Sequence, residues 1–105
     1  MIGQADIEKV AKEIGESAQA DRVVLFGSYA NGRMTVESDV DLLVIMNTSL
    51  KEWEQSLKIR RSLGVMFGMD LIVRTPKKLA QRVKMGDSFI QDVLKEGKVL
   101  YESRS

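Results

Sequence analysis

Asp39 and Asp41 stand one residue apart at the head of the run Asp39-Val40-Asp41-Leu42-Leu43-Val44-Ile45-Met46. A strand repeats its side-chain direction every two residues, so both carboxylates leave one face. Two adjacent negative charges raise each other's pKa unless a cation lies between them, and hard oxygen donors select magnesium or manganese. A third carboxylate, Asp70, opens the run Met69-Asp70-Leu71-Ile72-Val73-Arg74. Gly27-Ser28 ends the run Arg22-Val23-Val24-Leu25-Phe26. Gly27 lets backbone approach a phosphate, and Ser28 offers a hydroxyl and the amides at the head of a short helical turn. Three carboxylates and a glycine-serine turn on one rim would suit a metal-bound triphosphate. Phosphoryl-type transfer asks a protein for alignment and charge neutralisation more than for covalent chemistry.

Each part alone is weak. An isolated Asp-x-Asp is ordinarily a solvated strand opening, and the combination with Gly27-Ser28 and Asp70 is what makes the site specific. The stretch Gly27-x4-Gly32-Arg33-Met34 imitates a P-loop but lacks its Lys and Ser/Thr. An EF-hand loop would be polar where Leu42 to Met46 is continuously apolar.

The elements that must position these residues are legible from periodicity. Ile7, Val10, Ala11, Ile14 and Ala18 mark an amphipathic helix over residues 6–18, with Asp6 as its N-cap. Residues 22–26 read as a buried strand and Ser28 to Asn31 as a helical turn. The run 39–46 is apolar on both faces beyond Asp41, which predicts a central strand covered on both sides. Asn47-Thr48-Ser49 turns into a helix over 50–63 whose inward side carries Leu50, Trp53, Leu57 and the stem of Arg60. Residues 69–74 form a strand parallel to 39–46 through that crossover. Asp70 then begins at the same edge as Asp39 and Asp41. Gly27-Ser28 ends its own strand, so it reaches that edge only if strand 22–26 is antiparallel, and the sheet must be mixed. Thr75-Pro76 starts a helix with Leu79 and Val83 on its stripe, ended by Met85-Gly86. A helix over 87–96 buries Phe89, Ile90, Val93 and Leu94 and stops at Gly97, leaving Val99-Leu100-Tyr101 as a tail or edge strand. The expected class is α/β (α+β), a small mixed β-sheet with helices packed on it.

With 105 residues, 30% charged and 44% hydrophobic, the chain is expected to form one domain over 1–105. A net charge of +1 gives no field that argues for nucleic acid. The absence of cysteine and histidine removes disulfides, thiol catalysis, Cys/His zinc sites and histidine triads. No apolar stretch approaches the roughly 20 residues that span a bilayer, so no membrane association is expected and a cytoplasmic protein is the default. The basic stretch Arg74, Lys77, Lys78, Arg82 and Lys84 reads as a solvated helix face. Met66-Phe67 fits either core or a partner contact, and Tyr29 fits packing better than stacking on a base.

The residues Gly27-Ser28-Tyr29-Ala30-Asn31-Gly32-Arg33, followed by Ser38-Asp39-Val40-Asp41-Leu42, resemble the signature of the DNA polymerase β-like nucleotidyltransferase superfamily. The nearest branch is the minimal nucleotidyltransferases (MNT), which includes antitoxins encoded beside HEPN-domain toxins. The resemblance implies a polymerase β palm-like fold and transfer of NMP, with AMP from ATP as the favoured case, onto a hydroxyl. It also implies that Asp39, Asp41 and Asp70 bind Mg2+ or Mn2+, that Asp70 helps deprotonate the acceptor, and that Gly27 and Ser28 hold the outer phosphates. Relatives commonly carry Arg where this chain has Asn31, and Arg33 is the residue placed to compensate. The chain is expected to have no residues left for an acceptor domain, so another molecule would present the acceptor; the resemblance implies a helical HEPN-type partner protein that supplies a tyrosine, and a homo-oligomer is compatible with the sequence. Two other functions compete: a non-catalytic antitoxin that neutralises its toxin by covering it, and a transferase acting on an antibiotic or sugar hydroxyl.

Overall fold

A computed structural model describes residues 2–65 and 67–104. The order of elements is α1 (Gln4–Ser17), β1 (Arg22–Phe26), α2 (Ser28–Asn31), β2 (Val40–Ile45), α3 (Glu52–Leu63), β3 (Met69–Arg74), α4 (Pro76–Lys84), α5 (Ser88–Glu96) and β4 (Lys98–Glu102). The sheet runs β3-β2-β1-β4. β1 is antiparallel to both β2 and β4, while β2 and β3 are parallel. The mixed sheet expected from the placement of Gly27-Ser28 is therefore the one observed, and residues 98–102 are an edge strand.

Strand alternation divides the core into two layers. Val23, Leu25, Val40, Leu42, Val44, Met69, Leu71 and Val73 pack with Ile7, Val10, Ala11 and Ile14 of α1 and Ile59 of α3. On the other face Val24, Leu43 and Ile45 meet Val93 of α5, with Phe26, Ile72 and Leu79 packed against them. β2 is thus covered on both sides, as its unbroken apolar run requires. Gly15 lets α1 approach β4: a Cβ there would run into the ring of Tyr101. Thr75 caps α4 by accepting the Lys78 N–H at 3.2 Å, with Pro76 in the first turn. Asp87 caps α5 through the Ile90 N–H at 3.1 Å.

Three expectations are corrected. Helix α1 begins at Gln4 with Gly3, not Asp6, at the N-cap. On α3 the covered residues are Gln55 and Ile59, with Leu63 partly buried, whereas Leu50, Trp53, Leu57 and Arg60 are exposed. Gln55 tolerates burial because its side-chain oxygen accepts the Thr48 hydroxyl at 2.7 Å, and Arg60 donates to Met69 O at 2.6 Å. On α5 Ile90 and Val93 are buried, but Phe89 and Leu94 are exposed. Of the Met66-Phe67 pair, Phe67 packs partly buried against the α1/α3 core and Met66 lies outside the described residues. Among the described residues no helix is long and apolar enough to cross a membrane.

Candidate active site at the carboxylate rim

The parallel register places Asp41 directly opposite Asp70, and the antiparallel register places Phe26, the residue before Gly27, opposite Asp41 from the other side. Asp41 shares the face of Leu43 and Ile45, and Asp70 shares the face of Ile72, so both side chains rise on the α4/α5 side of the sheet. Asp39, one residue before β2, continues the same alternation. Its backbone is fixed from both directions: Ser38 N–H donates to Thr35 O at 3.0 Å, and Val40 N–H donates to Gly68 O at 3.0 Å. The sequence therefore brings Asp39, Asp41 and Asp70 to one rim.

The electrostatics of that rim are unfavourable for free carboxylates. Asp41, half-buried, has its pKa held above the ordinary 3.8, first by burial and then by the charges of Asp70 and Asp39. Asp39 and Asp70 are exposed. The three carboxylates do not converge as a closed cage; among the described residues no group of three acidic side chains is drawn in around a common point.

Two glycines form the walls. Gly27 has φ +75° and ψ −154°, a region open in practice to glycine alone, and a Cβ there would overlap Asp41 Oδ2. A Cβ on Gly68 would overlap Asp39 Oδ1. The space for both carboxylates exists because these positions lack side chains. Gly68 belongs to the connection between α3 and β3 and carries no side-chain signal in the sequence; its pairing with Val40 is what brings it to Asp39. An all-oxygen donor set walled by glycine backbone fits a small hard cation that retains open positions for a ligand's oxygens.

The turn after Gly27 is tightly bonded. Ala30 and Asn31 N–H groups donate to Gly27 O at 3.0 and 3.1 Å, and Arg33 N–H donates to Ser28 O and to Asn31 Oδ1, each at 3.0 Å. Ser28 is half-buried and Arg33 exposed. Tyr29 is core: its hydroxyl accepts the Ile2 N–H at 3.1 Å, so its ring is not available to a base. A larger, apolar groove of about 510 Å³ runs beside Leu79, Val83 and Ile45, at the end of β2 remote from Asp41, and brings together no carboxylates of the rim.

The family model described as polymerase beta, nucleotidyltransferase, matches residues 8–105. The chain belongs to the polymerase β nucleotidyltransferase family. Two relatives of this family from Methanocaldococcus jannaschii carry the provisional name protein adenylyltransferase. MJ0604 is 31% identical over 80 residues, 76% of this chain and 77% of the relative. MJ0141 is 34% identical over 90 residues, 84% of this chain and 81% of the relative. Among solved structures, a Sulfolobus solfataricus protein provisionally named a nucleotidyltransferase superposes with a TM-score of 0.63 at 22% identity, over 97% of this chain and 86% of that one. A toxin–antitoxin complex solved with AMP-PNP gives 0.61 at 24% identity, over 92% and 74%. An MntA–HpeT toxin–antitoxin mutant gives 0.55 at 21%, over 98% and 75%. These structures share the nucleotidyltransferase fold of this chain.

Proposed function

We propose that residues 1–105 form one minimal nucleotidyltransferase domain that moves AMP from ATP onto a hydroxyl of a partner protein, a tyrosine of a HEPN-type toxin. The observation that carries the reading is the juxtaposition of Asp41 and Asp70 beside Asp39 under a glycine-walled turn. The adenylyltransferase names of the M. jannaschii relatives and the toxin–antitoxin fold neighbour solved with AMP-PNP support the choice of nucleotide and partner.

Asp39 and Asp41, completed by Asp70, would hold Mg2+ or Mn2+. When bound, the cation supplies neutralisation of triphosphate charge and polarisation of the α-phosphate. Gly27 and Ser28 hold the outer phosphates, with Arg33 able to swing toward them from its exposed position. Asp70, the more exposed member of the cross-strand pair, takes the proton of the acceptor hydroxyl. The acceptor oxygen then bonds to the α-phosphorus, the bond from that phosphorus to the bridging oxygen breaks, and pyrophosphate leaves with the electron pair. No histidine is required.

The test is ATP labelled at the α-phosphate, incubated with the chain, magnesium and a helical protein encoded beside it. Label should appear on the partner with release of pyrophosphate, and Asp41→Asn should lower the rate by on the order of a hundredfold or more. An unlabelled partner that is neutralised equally well by Asp41→Asn would replace this reading with the alternative of a non-catalytic antitoxin acting by complex formation.

A further inference from the structure

We propose that the outer face of α3 is the contact through which two copies of this chain form a two-fold dimer. The helix turns an amide, Gln55, toward the sheet beside Ile59, and leaves Trp53 and Leu57 in water, with Leu50 just ahead of its first turn. Spacings of three and four residues put these three apolar side chains on one stripe. Trp53 is 62% exposed. The stripe borders a groove of about 350 Å³ whose remaining lining is Glu54, Lys58 and Arg61. A helix that serves only its own core turns such a stripe inward, so its placement in solvent marks a contact surface.

The charges along the stripe select the occupant. α3 carries Glu52 and Glu54 in its first turn and Arg60 and Arg61 in its last. Glu52 is engaged by Thr75, but among the described residues Glu54, Lys58 and Arg61 enter no salt bridge. The outer face is acidic at one end and basic at the other, so it complements itself when reversed. With a two-fold axis through Leu57, that leucine meets its own counterpart. Trp53 and Arg61, four residues to either side, then meet each other in both halves of the contact. An indole against a guanidinium is a favourable cation–π pair, and Glu54 comes within reach of Lys58 and Arg61 of the other copy. A parallel arrangement would instead set Glu54 against Glu54 and Arg61 against Arg61. α3 packs on the α1 side of the sheet, whereas Asp41 and Asp70 rise on the α4/α5 side, so the pairing leaves both rims uncovered. A helix of 12 residues is about 18 Å long. Its outer face alone is smaller than the roughly 800 Å² per partner of a standard stable interface, so the dimer should dissociate on dilution.

Trp53 is the one tryptophan of the chain, so its fluorescence reports this face directly. Sedimentation velocity and tryptophan emission of the full chain, without partner or nucleotide, are followed from low micromolar to near-millimolar concentration. Mass should double, and emission should shift to the blue over the same range. Leu57→Glu, Glu54→Arg and Arg61→Glu should each weaken association about tenfold or more, because two-fold symmetry makes every substitution count twice. An equimolar mixture of Glu54→Arg and Arg61→Glu should associate more tightly than either variant alone, since opposite charges then meet at both ends. That recovery also shows both variants to be folded. A wild type that stays monomeric throughout overturns the proposal, as does a dimer indifferent to Leu57→Glu. If the chain alone is monomeric and Trp53 emission moves only when a helical partner protein is added, the stripe belongs to that partner and the second copy is the wrong occupant. If the two charge variants melt like wild type and their mixture fails to recover, the reversed pairing is overturned.

Discussion

Asp41 and Asp70 occupy the same register position on two parallel strands, so their Cα atoms are neighbours across the ladder and their side chains rise from one face. Parallel pairing makes this unavoidable: two strands that start at one edge bring their opening residues together. With Asp39 following the same alternation, the rim concentrates negative charge that the fold alone does not neutralise, and the Asp41 pKa is raised first by burial and then by the charges of Asp70 and Asp39.

The crowding has a consequence for stability. A carboxyl whose pKa is raised in the folded state binds its proton more tightly there than in the unfolded chain. Stability contributed at Asp41 is therefore present at low pH, declines as pH rises from 3.8 through the raised folded value, and stays lower above it. In chelator-treated protein, Asp41→Asn should remove that decline and melt no lower than wild type at neutral pH. Magnesium should then raise the melting temperature of wild type and leave the variant unmoved. Thermal melts across pH, with and without the cation, read both effects. A variant that melts well below wild type at neutral pH without metal would mean that Asp41 is a structural anchor.

The two wall glycines should fail differently. Gly27→Ala combines a backbone region closed to L-residues with an overlap on half-buried Asp41, so a stability loss of about 1–3 kcal/mol is expected together with loss of cation affinity. Gly68→Ala meets the far end of an exposed Asp39 side chain, which can move aside. Its stability should stay within about 0.5 kcal/mol of wild type while its affinity for magnesium falls. Urea denaturation paired with magnesium titration distinguishes the cases. Wild-type cation affinity in Gly68→Ala would detach Asp39 from the metal site.

Much of this arrangement was readable in the chain because strand signals here are short and unambiguous. Arg22 to Phe26 and Met69 to Arg74 begin and end where their apolar runs do, and the need to bring Gly27-Ser28 to the aspartates fixed the strand directions. Helical periodicity misled on α3. Leu50, Trp53 and Leu57 form an apolar stripe, yet the face turned to the sheet carries Gln55 and Ile59, since the bond from Thr48 to Gln55 removes the cost of burying an amide. A hydrogen-bond partner seven residues away leaves no trace in hydropathy. Phe89 departs from its expected burial for a related reason: an aromatic at core spacing gives no sign of whether its neighbour is a helix or an open hollow.

A single side chain ties the start of α3 to the junction of β3 and α4. Glu52 accepts the Thr75 N–H at 2.9 Å, while its other oxygen lies 4.0 Å from Arg74 Nη1 and 3.9 Å from Lys78 Nζ. The Glu52 side chain is 17% exposed and that of Lys78 62%, so the ion pairs are long and screened, and the hydrogen bond should dominate. Glu52→Gln retains a carbonyl acceptor for Thr75 and should cost less than about 0.5 kcal/mol. Glu52→Ala leaves a partly buried N–H unsatisfied at the capping residue of α4 and should cost about 1–3 kcal/mol. Denaturant melts of the two variants, repeated at high salt, decide the matter. Equal losses for Gln and Ala that shrink with salt would assign the junction to charge, whereas a salt-independent gap between them assigns it to the Thr75 bond.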